Sequence, residues 1–124
     1  MSAVEFEKAL HAALAGNAAV AAIVGTRIYP LMLPEGTPLP AVTYHRISGV
    51  PANSLTGHSG LEAVTVQVDG WARGFAEAKS LAAAIRLAMA GAPFVNILDE
   101  DRDLYAPDMN TFRVSADYRC WHKE

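Results

Sequence analysis

Hydrophobic residues recur every three or four positions in three parts of the chain, and this spacing predicts three helices. The first helix places Phe6, Leu10 and Leu14 on one face. A short second helix is predicted over residues 18–24, and a longer third helix over about residues 75–90. The apolar stripe of the third helix consists of Phe75, Ala78, Leu81, Ala82, Ile85 and Met89.

Hydrophobic and polar residues alternate along other stretches, and this period of two predicts strands. Clear alternation covers residues 41–49, 61–71 and 112–122, and a short strand is expected within 94–98. The 61–71 strand has valines on one face and polar residues on the other, so we expect the third helix to lie across the valines. Eleven residues exceed the usual strand of ~5 to 6, so the two longer strands should carry bulges or extend beyond the core.

The segments between these elements differ in character. Residues 29–40 contain four prolines and are interpreted as an extended crossing over the surface. Residues 50–60, with two glycines and a proline, are interpreted as a long loop between antiparallel strands. Because long loops are often functional, this loop is our first candidate for contact with a partner. The acidic run 99–103 is expected to be a solvated loop before a short strand, and a turn is predicted at residues 107–110.

These elements predict an α+β fold in a single domain, residues 1–124: an antiparallel β-sheet with long hairpins, packed against two or three α-helices on one face. A hydrophobic fraction of 52% indicates a globular chain, and a net charge of −3 argues against binding driven by phosphate neutralisation. The lone Cys120 cannot form an intramolecular disulfide, which suits a reducing compartment. The sequence predicts neither a secretion signal nor a membrane-spanning segment.

Asp69 is the most conspicuous polar residue, because it ends a strand just before a helix and stands beside Trp71. It could be a catalytic carboxylate, or an exposed residue that pairs across the sheet with Arg113 or Arg119. No partner base or metal cluster accompanies it, and the two glycines that follow lack the spacing of a phosphate-binding loop. The pattern therefore favours the exposed ion pair, with Trp71 as a packing residue.

Other candidate chemistry is weaker. Cys120 and His122 share one face of a strand, but two ligands do not make a metal site. We expect a buried thiol and a solvated histidine instead. The atoms needed for nucleophilic catalysis are present in Ser54, Ser59, His58 and Asp69, but no motif positions a nucleophile. We therefore predict no catalytic residue, no cofactor and no metal.

Three segments, taken in order, resemble the phage tail completion proteins, which are small proteins of tailed phages and prophages. The resemblance covers nearly the whole chain and rests on the order and spacing of the segments. They are RIYPLMLPEGTPLPAVTYHRISG, LEAVTVQVDGWARGFAEAKSLAAAIRLAM and DRDLYAPDMNTFRVSADYRCWHKE.

The resemblance implies a structural virion protein, not an enzyme. Copies would form a ring, expected to be a hexamer, that caps the head-proximal end of the tail tube and joins the tail to the head connector. The implied partners are other copies, the tail tube protein and the head–tail connector protein, while DNA passes through the lumen without specific binding.

The resemblance further places the protein in the virion tail, and in the bacterial cytoplasm during assembly, without membrane contact. A monomeric α+β domain that binds a small ligand is the alternative, and it would need an enclosed apolar pocket. The candidate interface residues are Pro51, Asn53, Ser54, Leu55, His58, Arg113, Arg119 and Trp121.

Overall fold

The computed structural model describes residues 2–54 and 57–123, with side chains described for 2–50 and 62–123. The described residues form three helices and five strands. The helices are α1 (Ala3–Ala15), α2 (Ala18–Val24) and α3 (Phe75–Ala90), and the strands are β1 (Ile28–Pro30), β2 (Ala41–Ser54), β3 (Gly57–Ala72), β4 (Val95–Ala106) and β5 (Thr111–Lys123).

The five strands form a mixed sheet in the order β1-β2-β3-β5-β4. β1 runs parallel to β2, and each other neighbouring pair is antiparallel. The predicted α+β class is confirmed, but the prediction of a wholly antiparallel sheet is wrong at this edge. Residues 31–40 carry the chain back to the start of the next strand, and such a return makes neighbouring strands parallel. The proline-rich crossing therefore begins with a short strand.

The predicted helices are confirmed, and the first two begin at side-chain caps. Ser2 Oγ accepts a hydrogen bond from the Glu5 amide, and Glu5 Oε1 accepts one from the Ser2 amide. Asn17 Oδ1 accepts from the first turn of α2. Gly25 ends α2 with φ 60°, a value that favours glycine. None of the described helices is both long and apolar enough to cross a membrane.

All three helices contribute to one core on one face of the sheet. α3 lies across the valine face of β3, as predicted. Phe75 is the exception in its stripe, because it is 51% exposed at the start of the helix. The core residues include Phe6, Leu10 and Leu14 of α1, Val20 and Val24 of α2, Leu81, Ile85 and Met89 of α3, and Val42, Tyr44, Val64, Val66, Val68, Tyr118 and Cys120 of the sheet.

The predicted loop 50–60 is mostly strand. Asn53 pairs with His58 and Ser54 with Gly57, so the backbone of the β2–β3 hairpin is regular almost to its tip. Polar and glycine residues are compatible with a strand when the neighbouring strand satisfies their backbone groups. The pairing of β2 with β3 includes two register shifts, and the hairpin extends past the end of β5, where Lys123 lies opposite Leu61.

The predicted short strands around the acidic run are in fact one strand. β4 has twelve residues and pairs with β5 along its length, with a register shift beside Asp99. Because β4 lies at the edge of the sheet, its acidic side chains remain exposed, and charge is common on edge strands. The turn at residues 107–110 is confirmed, with Asn110 at φ 48°.

Candidate interaction site

The sheet face opposite the helices, here called the open face, holds Asp69. Gln67 Nε2 donates to both Asp69 carboxylate oxygens at 3.1 and 3.0 Å, and Arg113 Nη1 lies 3.5 Å from Asp69 Oδ2. The pairing predicted with Arg113 is therefore confirmed. The predicted exposure is wrong, because Asp69 is only 4% exposed. Long polar side chains of the neighbouring positions lie against it in place of a helix.

Trp71 also lies on the open face, and it is half-buried there. Its Nε1 donates to Thr43 Oγ1 at 2.9 Å, and the Arg113 guanidinium lies over its ring at 4.7 Å from the ring centre. Charge over an indole face is a favourable cation–π geometry. Trp71 is therefore a member of a polar network as well as the packing residue that the sequence predicted.

Arg102 forms a second network that the sequence did not predict. Its guanidinium donates to Ser115 Oγ at 2.9 Å, Asp117 Oδ2 at 2.7 Å and Glu100 Oε1 at 2.8 Å. The hydrogen bonds to Glu100 and then Asp117 raise the pKa of Arg102 above its usual value. The available signal was the spacing of two between Glu100 and Arg102, which places both on one face of a strand.

The remaining sequence candidates on β5 are spread along the open face. Arg119 Nη2 lies 3.3 Å from Asp99 Oδ2, so it pairs with β4 and not with Asp69. Trp121 is half-buried opposite Val95. The side chains of the other candidates, Pro51, Asn53, Ser54, Leu55 and His58, lie outside the described residues.

His122 is buried, so the prediction of a solvated histidine is wrong. It stacks on Phe6 with 4.6 Å between ring centres, and its Nε2 lies 3.0 Å from Glu62 Oε1. Cys120 is buried as predicted, and burial raises its pKa to about 12. Among the side chains described, those of residues 2–50 and 62–123, no group of three or more His, Cys, Asp or Glu could hold a metal ion.

A groove lies on the open face at the end of the sheet where β3 ends and β5 begins. It consists of two adjoining cavities of about 550 and 260 Å³ that share Trp71, Met109, Thr111 and Arg113. Residues 31–39 form one wall, and the end of β4 forms the other. We call this the Arg113 groove. Sequence reasoning did not find it, because its two walls are distant in the chain.

Residues 8–123 match the model of the family Tail completion protein gp17. The chain belongs to this family. The resemblance recognised in the sequence is thereby confirmed. Among curated proteins, no sequence matches the chain.

Solved structures give a second comparison, in which 22 chains match, so the fold recurs among known structures. One is a chain of the virion of a native gene transfer agent (GTA) particle, with a TM-score of 0.74 and 25% identity. The match covers 100% of both chains. Family and fold together identify a structural protein of phage tails, and such a family favours a role without catalysis.

Proposed function

We propose that this protein caps the head-proximal end of a phage tail tube and joins the tail to the head connector. It would act as a ring of copies, expected to be a hexamer, through whose lumen DNA passes without specific binding. The family match over residues 8–123 and the likeness to a virion chain support this role. The net charge of −3 is consistent with DNA that slides past the ring.

The observation that carries the ring is the presence of free strand edges on both sides of one sheet. β4 pairs only with β5 among the described residues, and its Val95 and Ile97 side chains are exposed. On the other side, β1 pairs only with residues 42–44 of β2, so beyond Tyr44 the edge of β2 that faces away from β3 has no neighbouring strand in the described part. An unpaired edge of one copy can pair with the other, different edge of the next copy. This head-to-tail association can close into a ring.

The long β2–β3 hairpin is proposed as a further contact, with Pro51, Asn53, Ser54, Leu55 and His58 near its tip. On β5, Arg119 and Trp121 are proposed to contribute from the open face, beside the β4 edge. Arg113 lies at the opposite end of β5, so it belongs to a different contact from Trp121.

Deletion of this gene from the phage or prophage, followed by negative-stain microscopy of the lysate, tests the joining role. We expect full heads beside unattached tails, with tails of irregular length, and rescue by the intact gene supplied in trans. Complete particles from the deletion strain would refute the role.

A hairpin variant tests the proposed contacts separately. Shortening residues 50–60 should leave the protein folded by circular dichroism, because the core residues of the described part lie in the helices and in other parts of the sheet, yet it should fail to rescue joining. A shortened variant that rescues as well as the wild type would remove the hairpin from the joining surface.

A further inference from the structure

Exposed apolar side chains are concentrated at the Arg113 groove. The described part of the chain exposes twelve large hydrophobic side chains, and five of them line this groove. Two of the five are methionines, whose flexible side chains adapt to a partner surface. Such a cluster of exposed apolar residues is typical of a protein–protein contact. The five are Leu31, Met32, Leu104, Tyr105 and Met109.

The backbone at Leu31 gives an independent sign of function. Its φ is 71°, a left-handed conformation that is rare for a bulky residue other than glycine. The Leu31 amide donates to the Tyr44 carbonyl at 2.7 Å, which holds the residue in place. The side chain is nevertheless 70% exposed, so the strained conformation does not serve the core. A strained residue that displays a leucine to solvent is explained if a partner buries it.

The charged residues that line the groove are mostly basic, whereas the whole chain has a net negative charge. The charged lining residues are Arg73, Arg113 and Glu35, in a chain of net charge −3. Arg73 is exposed and makes no ion pair among the described residues. Arg113 Nη1 lies 3.5 Å from Asp69 Oδ2. Both carboxylate oxygens of Asp69 already accept hydrogen bonds from Gln67. The groove is therefore complementary to a segment that carries a carboxylate.

The groove lies at the opposite end of the sheet from the free part of β2 and from the exposed Val95 and Ile97 of β4, although the last residues of β4 form one of its walls. It lies where β3 ends and β5 begins, whereas the free part of β2 lies beyond Tyr44, toward the opposite end of the sheet. Contact between copies along that edge would leave the groove open. This step rests on the proposed function, in which proteins other than this one adjoin the ring.

From these observations, we infer that the Arg113 groove receives an extended segment of a different virion protein. The segment would carry apolar side chains for Leu31, Met32 and Met109, and at least one carboxylate for Arg73. A second copy of this chain is the competing occupant, and the experiment below distinguishes the two.

Site-specific photo-crosslinking in assembled particles identifies the occupant. A benzophenone amino acid is placed at Met32 or Met109, and at Leu87 as a control, because Leu87 is similarly exposed at 65% but lies on α3 outside the groove. After irradiation of purified particles, mass spectrometry identifies the crosslinked peptide. We expect the two groove positions, unlike Leu87, to crosslink an apolar, acidic segment of another virion protein. Crosslinks only to another copy, or none, would overturn the inference.

Substitutions give a second readout. Leu31→Asn removes the leucine while retaining a residue that tolerates a left-handed backbone, so its unfolding midpoint should equal or exceed that of the wild type. Loss of the contact between Leu31 and the partner segment should lower the yield of joined particles about tenfold. Arg73→Glu should lower it similarly, and Leu87→Asn should not.

The outcomes separate the two proposals. Wild-type yields from both Leu31→Asn and Arg73→Glu would refute the groove inference while leaving the joining role intact. Failure of the joining role would instead appear as complete particles from the gene deletion.

Discussion

Arg113 and Trp71 are stacked on the open face, with the guanidinium carbon 4.7 Å from the ring centre. From this position Arg113 reaches Asp69, while Trp71 donates to Thr43. The stack therefore joins side chains of β2, β3 and β5 on a face that no described helix covers. Stability on this face depends on polar contacts, so it is sensitive to substitutions that a solvated surface would tolerate.

Asp69→Asn should destabilise the protein by about 2 kcal/mol, because the new amide turns a donor toward Gln67 and weakens the contact with Arg113. Urea unfolding measured by circular dichroism gives the change in free energy of unfolding. Asp108→Asn, in the exposed turn, is the matched control and should change it by less than about 0.5 kcal/mol. Equal effects of the two substitutions would contradict the buried network.

Gly70→Ala should destabilise the protein by about 1 to 3 kcal/mol, the usual range for overpacking. An added Cβ would lie 3.0 Å from Leu81 Cγ and 3.4 Å from Ile85 Cδ1, so these two packed side chains of α3 would have to shift. Gly74→Ala is the control, since its added Cβ meets nothing within 4 Å. Thermal unfolding of both variants measures the two losses of stability, and the larger loss should be that of Gly70→Ala. A Gly70→Ala variant as stable as Gly74→Ala would disprove the close approach of α3 to β3 at Gly70.

Alkaline pH should destabilise the fold through two buried groups. Burial raises the pKa of Cys120 to about 12 and is the main cause that raises the pKa of Tyr118 to about 12. In the unfolded chain these groups ionise near pH ~8.5 and ~10. Both contributions are thus complete below about pH 8.5 and are lost as pH rises toward 12, by up to about 1.4 kcal/mol per pH unit for each group.

Urea unfolding at pH 7, 9 and 10 measures this loss. Cys120→Ala removes the contribution of the thiol, which begins to be lost at a lower pH than that of Tyr118, so the variant should lose less stability than the wild type between pH 7 and 10. Parallel pH profiles of the two proteins would show that the thiol makes no contribution.

His122→Ala should destabilise the protein by about 2 kcal/mol or more, because it removes a buried ring that stacks on Phe6 and contacts Glu62. His45→Ala is the comparison, since His45 is only half-buried near the middle of β2. Chemical denaturation of both variants provides the measurement. A smaller effect at His122 than at His45 would be inconsistent with its place between α1 and the sheet.

Much of the fold could be predicted because its helices and core strands repeat clear periods. Phe6, Leu10 and Leu14 are buried as their spacing predicts, and so are Val64, Val66 and Val68. The acidic residues 99–103 were predicted to be a loop but belong to a strand, because local composition does not reveal pairing with a partner strand. The hairpin at residues 50–60 was misinterpreted for the same reason.

The candidate site was less predictable. The pairing of Asp69 with Arg113 followed from the alternation of two strands, but burial of Asp69 depends on the neighbouring Gln67. The Arg113 groove depends on the approach of residues 31–39 to the turn at Met109, which no periodicity encodes. The left-handed backbone of Leu31 could not be predicted from the sequence, since leucine rarely adopts that conformation.

The core lies between the helices and one face of the sheet, and the described chain supplies both sides of it. A copy therefore needs no neighbour to complete its hydrophobic interior. In the capping role proposed above, synthesis and assembly can then be separated in time: a pool of finished subunits can accumulate, and the growing tail would set the moment at which they are used.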